Sequence, residues 1–97
     1  MDYLNITGTF TATGGGGAKN VSLPPGWTAL FSYCQVADPA NAVHVNFSQQ
    51  PNGQYYAWED VAFYQLGWFN NTSGGIDCSF NLLCVKGEVA MSSYAGL

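Results

Sequence analysis

Ile76-Asp77-Cys78-Ser79-Phe80-Asn81-Leu82-Leu83-Cys84 decides the fold class, because Ile76, Cys78, Phe80, Leu82 and Cys84 fall on one face and Asp77, Ser79 and Asn81 on the other. Successive side chains of a strand point to opposite faces, so this period of two predicts a strand with one buried side. The start of the chain repeats the pattern: Leu4, Ile6, Phe10 and Ala12 alternate with Asn5, Thr7, Thr9 and Thr11, which places β-branched residues on the wet face. Val43, Val45 and Phe47 alternate in the same way with His44, Asn46 and Ser48. From Trp27 to Val36 both faces carry apolar residues, which predicts a central strand covered twice, with Trp27 and Phe31 in the core. Val61 to Phe69 is a further long strand, and Tyr55 to Trp58 open the aromatic half of the chain.

The segments between these runs carry turn chemistry. Gly14 to Gly17 read as a flexible hairpin tip before Val21 and Leu23 resume an apolar face. Leu23-Pro24-Pro25-Gly26 is a stop followed by a turn, since neither proline can donate to a ladder. Asp38-Pro39-Ala40-Asn41 and Gln50-Pro51-Asn52-Gly53 are turns, and Asn70 to Gly75 is a loop of little side-chain bulk. No segment keeps the i, i+3, i+4 spacing of an amphipathic helix. The expectation is an all-β chain, an antiparallel β-sandwich or small β-barrel of roughly five to seven strands. Residues 1–97 read as one domain, with 88–97 a tail that is flexible or docked on a partner.

Of the 97 residues 47% are apolar and 15% aromatic, but only 8% are charged. About a quarter is usual, and charge is what keeps a monomer dispersed, so this surface suits a protein packed against neighbours. A net charge of −4, with Lys19 and Lys86 the only cations, argues against nucleic acid and anionic membranes. No apolar run reaches the length of a membrane span, and Met1 to Ile6 lack the basic start of a secretory signal, so synthesis in the cytoplasm without export through a signal peptide is expected.

Chemistry-bearing patterns are absent from the sequence. Cys34, Cys78 and Cys84 are odd in number and lack a CxxC spacing, and they read as small core hydrophobes. On one strand Cys78 and Cys84 would stand about 20 Å apart and could not bond. His44 is the lone histidine, on a polar strand face, with no nucleophile or acid patterned around it. Glu59 and Asp60 are adjacent, so a strand would send them to opposite faces, and they border a turn instead. Gly14 to Asn20 lacks the Gly-Lys-Ser/Thr order and the following helix of a phosphate loop. Sequons at Asn5, Asn20, Asn46, Asn70 and Asn71 reflect an asparagine-rich composition. No catalytic residue, metal ligand or cofactor site is expected.

The aromatic residues exceed what a thin core can bury, and rings with a polar tip favour interfaces and sugar platforms. Candidate partner contacts are Tyr3, Tyr55, Tyr56, Trp58, Trp68 and Tyr94. Ile6-Thr7-Gly8-Thr9-Phe10-Thr11-Ala12-Thr13-Gly14, followed by Val21-Ser22-Leu23-Pro24-Pro25-Gly26-Trp27, resembles the opening of small tailed-phage virion structural proteins over about the first third of the chain. The resemblance implies a non-enzymatic capsid decoration or cement protein on the virion surface, contacting the major capsid protein or another virion protein. The few charges and many aromatics point to a homo-oligomer, and the resemblance favours a trimer or other closed ring suited to local three-fold positions. The alternative is a carbohydrate- or ligand-binding β module that uses an aromatic surface patch.

Overall fold

A computed structural model describes residues 2–48, 54–58 and 61–87, and the side chains of 54–58 and 61 are left aside. The elements are β1 (Tyr3–Ala12), β2 (Gly15–Ser22), β3 (Trp27–Val36), a 3₁₀ turn (Pro39–Asn41), β4 (Val45–Ser48), β5 (Gln54–Trp58), β6 (Val61–Asn70) and β7 (Ile76–Lys86). They form two antiparallel sheets. One has the order β1-β7-β3. In the other, β6 is flanked by β2 on one side, while β4 lies along residues 67–70 of β6 and β5 along residues 61–65. The all-β expectation holds as two open layers, not as a closed barrel.

The alternation read from the sequence packs these layers together. Phe80, Leu82 and Cys84 of β7 meet Tyr64 and Leu66 of β6, with Val21, Leu23, Ala29 and Cys34 in the same cluster. A second cluster joins Ala12, Ile76 and Cys78 to Val45 and Trp68. Phe10 packs against both, with ring centroids 5.5 Å from Trp68, 6.3 Å from Phe47 and 6.3 Å from Phe80. The three cysteines are buried and none forms a disulfide, as expected of small core residues.

Four connections pass between the sheets, and one of them, residues 37–44, holds the 3₁₀ turn. Pro24-Pro25-Gly26-Trp27 is a turn closed by the Trp27 amide donating to the Pro24 carbonyl (3.2 Å), with Gly26 at φ 83. Proline presets φ at the second position of such a turn and glycine takes the positive φ at the third, so the sequence suits a type II turn. The loop after β6 is held by Asn70, described below. The remaining connection, Thr13-Gly14, corrects the reading of the glycine run.

Gly15, Gly16 and Gly17 are not a hairpin tip but the start of β2, paired with Asn70, Phe69 and Trp68. Gly15 takes φ 86 where the chain enters the second sheet. A Cβ at Gly17 would lie 2.7 Å from Trp68 Cε2, so the missing side chain is what lets the indole lie across β2. The same indole donates from Nε1 to the Thr13 carbonyl at 3.1 Å, which ties the crossing to the core.

Two further expectations change. β3 is an edge strand, and β7 is central. Its register slips between Ala29 and Phe31, where Leu30 is the extra residue of a bulge. The slip reverses the phase, so Ala29, Ser32 and Cys34 face the core while Phe31 and Tyr33 face out. Apolar residues on both faces of the sequence pattern thus come from a bulge, not from double coverage. Phe31, expected in the core, is 41% exposed. The other change is the strand expected from Val43, which begins only at Val45. Asp38 Oδ1 accepts from the Ala40 amide, and the Ala42 and His44 amides donate to the Pro39 and Asn41 carbonyls, so turn geometry runs through His44. Val43 is left 80% exposed in that turn.

Candidate functional site

The outer face of the three-stranded sheet is the surface with a distinctive composition. Register places its residues in cross-strand rows: Tyr3, Val85 and Thr28; Asn5, Leu83 and Phe31; Thr7, Asn81 and Tyr33; Thr9, Ser79 and Gln35; and finally Thr11 with Asp77. At one end Val85 and Thr28 are themselves buried, so the apolar surface there is made by Tyr3, Phe31 and Tyr33 with half-buried Leu83, and the other end carries hydroxyls, amides and one carboxylate. Tyr3 is 61% and Tyr33 60% exposed, so with Phe31 three aromatic side chains stand in solvent on this one face. Phe31 and Tyr33 lie two residues apart on β3, about 6.6 Å along the strand, and Tyr3, two strands across and one row further on, stands about 12 Å from Phe31 and about 16 Å from Tyr33. Such a face combines ring surface with neutral hydrogen-bonding groups, which desolvate at small cost beside charged ones.

Local chemistry stabilises the face. Thr28 is buried although its row faces outward, and its hydroxyl donates to the Gly87 carbonyl at 2.7 Å. At the polar end Thr11 Oγ1 donates to Asp77 Oδ1 at 3.4 Å. β-branched Thr7, Thr9 and Thr11 favour the extended backbone of β1 and expose methyl and hydroxyl together.

Of the sequence-predicted contacts, Tyr3 lies on this face. Trp68 does not: it is buried at 8% exposure among Phe10, Phe47 and Ile76. Tyr55 is paired in register with Tyr64 and Tyr56 with Phe63, while Trp58 is paired with Val61. Tyr94, the tail 88–97, and the Glu59 and Asp60 turn lie outside the described residues. Phe31 and Tyr33 are the residues that sequence reading missed. Their signal was the phase break at Ala29-Leu30-Phe31, after which Phe31, Tyr33 and Gln35 alternate with Ser32, Cys34 and Val36. A further aromatic, Phe69, is 57% exposed on the outer face of the other sheet.

His44 is half-buried beside Asn71, its Nδ1 3.2 Å from Asn71 Oδ1, and the Asn71 amide donates to the His44 carbonyl at 3.0 Å. This is a loop clasp between the approach to β4 and the end of β6. Burial pushes the Cys34 thiol up to about 11, with nearby Cys78 adding to the shift. Burial likewise raises Cys78 and Cys84. A thiol so raised holds its proton at neutral pH, and the thiol is a poor nucleophile and ligand. No group of three or more metal-ligating side chains occurs among the described residues, and no helix there is long and apolar enough to cross a membrane.

Comparison of the chain with known protein families, curated proteins and solved structures finds no match.

Proposed function

We propose that this chain is a non-enzymatic virion structural protein that decorates a phage capsid as a homo-oligomer, docking through the outer face of its three-stranded sheet. The observation that carries the reading is the exposure of Tyr3, Phe31 and Tyr33 together on one face of a chain with 8% charged residues. Such a side chain buries roughly 150–250 Å² in all, and at 41–61% exposure about 60–150 Å² of each remains for a partner to cover. At about 25 cal/mol per Å², three rings supply a contact energy that weak repulsion from a net charge of −4 does not offset, although the entropy of association takes back much of it. The phage component of the proposal rests on the resemblance carried by Ile6 to Gly14 and Val21 to Trp27.

A second reading draws on the same observation. Phe31 and Tyr33 at two-residue spacing on one strand face also suit stacking against a sugar ring. Co-sedimentation with heads purified from the phage that encodes the chain, set beside a glycan array, separates the two. Binding to heads with no glycan signal supports decoration. A chain that ignores heads and binds glycans overturns it in favour of the carbohydrate module.

A further inference from the structure

Among the described residues no strand pairs with the outer side of β1, and that edge lacks the usual protection. The Lys86 amide donates to the Asp2 carbonyl at 3.1 Å, and bonded pairs in an antiparallel ladder recur at every second residue. Leu4, Ile6, Gly8, Phe10 and Ala12 therefore bond to β7, and the N–H and C=O groups of Tyr3, Asn5, Thr7, Thr9 and Thr11 point away from it. The side chains of those five residues are exposed. Edge strands are normally blunted by charge, proline, a bulge or short length. β1 has none of these: its ten residues run Tyr3–Ala12 without charge or proline, and its register with β7 is unbroken. The other long edges differ, and the remaining edge strands β4 and β5 are only four and five residues long. β3 carries the bulge at Leu30, and β2 begins with three glycines and holds Lys19.

We infer that β1 pairs antiparallel with β1 of a second copy about a two-fold axis through Thr7, joining two three-stranded sheets into one of six strands. Self-pairing is favoured because the parity closes. With Thr7 opposite Thr7, the outward-pointing groups of Asn5 meet Thr9 of the other copy and those of Tyr3 meet Thr11, which makes a ladder of about ten hydrogen bonds. The facing side chains match as well: Leu4 meets Phe10 on the core side, Asn5 meets Thr9 on the outer side, and no like charges oppose. A register one residue away would place core-facing residues opposite solvent-facing ones, so it is disfavoured. The product is a two-fold pair, in place of the trimer that the resemblance implies, and it sets two aromatic faces side by side on one continuous sheet. The inference stands on the edge geometry and not on what the faces dock onto.

Sedimentation equilibrium at micromolar concentration tests it, with three variants. Thr7→Pro removes only an outward-pointing donor, which an edge strand tolerates. Thr7→Lys places two ammonium groups face to face across the axis. Both should weaken self-association at least tenfold while the circular dichroism spectrum and melting temperature stay near those of the wild type. Thr7→Cys should form an oxidised dimer, since bonded partners sit about 5.5 Å apart at Cα, within reach of a disulfide. A wild type that stays monomeric at these concentrations, or a dimer that Thr7→Pro and Thr7→Lys leave unchanged, overturns the inference.

Discussion

Replacing Asn70 with alanine should unfold the junction between the two sheets. Asn70 is the last residue of β6 and only 1% exposed. Its Nδ2 donates to the Ala12 carbonyl at 2.9 Å and to the Gly74 carbonyl at 2.8 Å. Its Oδ1 accepts from the Thr72 amide at 2.9 Å and from Thr72 Oγ1 at 2.7 Å. One amide group thus joins the end of β6, the end of β1 and the loop leading to β7. Each bond is worth about 1 kcal/mol net, and a buried acceptor stranded by the truncation costs more, so Asn70→Ala should destabilise by about 3–5 kcal/mol. That is a large share of the 5–15 kcal/mol typical of a domain. With a urea slope of about 1–2 kcal/mol per M, the midpoint should fall by roughly 2–4 M. Asn70→Asp sharpens the test. A carboxylate in this place faces two carbonyl oxygens, so its folded pKa is raised and its protonated form is the one the fold accepts. The variant should therefore lose stability as pH rises through the carboxyl range and regain part of it on acidification. An Asn70→Ala variant within about 1 kcal/mol of wild type would refute the view that this amide joins the sheets.

Gly17→Ala should cost about 1–3 kcal/mol because its Cβ meets the Trp68 indole, whereas Gly16→Ala, whose nearest neighbour would be Phe69 Cδ2 at 3.9 Å, should be close to neutral; equal urea midpoints would show that the indole does not lie across β2. Stability should be flat from neutral pH to the ordinary thiol range and then fall. An unfolded Cys34 loses its proton near 9.0 while the folded one holds it up to about 11, so the unfolded state binds fewer protons between those values. The loss is at most about 1.4 kcal/mol per pH unit for that thiol, and the fall in urea midpoint from pH 9 to 10.5 should be smaller in Cys34→Val, with the remainder kept by Cys78 and Cys84, which burial also raises. Ser32 Oγ is buried and has no hydrogen-bond partner among the described residues, so Ser32→Ala should be neutral to about 1 kcal/mol more stable, and a loss above about 1 kcal/mol would mean that the hydroxyl is satisfied in solution.

Much of the fold is legible in the chain because burial follows parity. Ile76, Cys78, Phe80, Leu82 and Cys84 line the core as their alternation requires, and so do Leu4, Ile6 and Phe10. What is not legible depends on partners far away in sequence. Nothing local tells that Gly17 must yield to Trp68, so four glycines look like a mobile tip. Nor does local pattern reveal which strand is central: β3 looks covered twice because one inserted residue, Leu30, moves its apolar positions from one parity to the other. The same insertion turns Phe31 and Tyr33 outward and hides the aromatic face from a strict period-two reading. Trp68 shows the reverse error: its size and polar tip suit an interface, yet the gap left by Gly17 and the Thr13 carbonyl accommodate it in the core. Asn70, in a sequon and in a loop-forming run, carries no local sign that its amide is spent on Ala12 and Gly74.

The most direct test of the contact proposal compares two lysine variants of similar exposure on opposite outer faces. Tyr33→Lys alters the three-stranded sheet's face, and Phe69→Lys alters the other, at wild-type exposures of 60% and 57%. In co-sedimentation with purified heads, with melting temperature as the folding control, Tyr33→Lys should weaken docking at least tenfold while Phe69→Lys binds as wild type. Docking that survives Tyr33→Lys and fails with Phe69→Lys would contradict the account and move the contact surface to the other sheet.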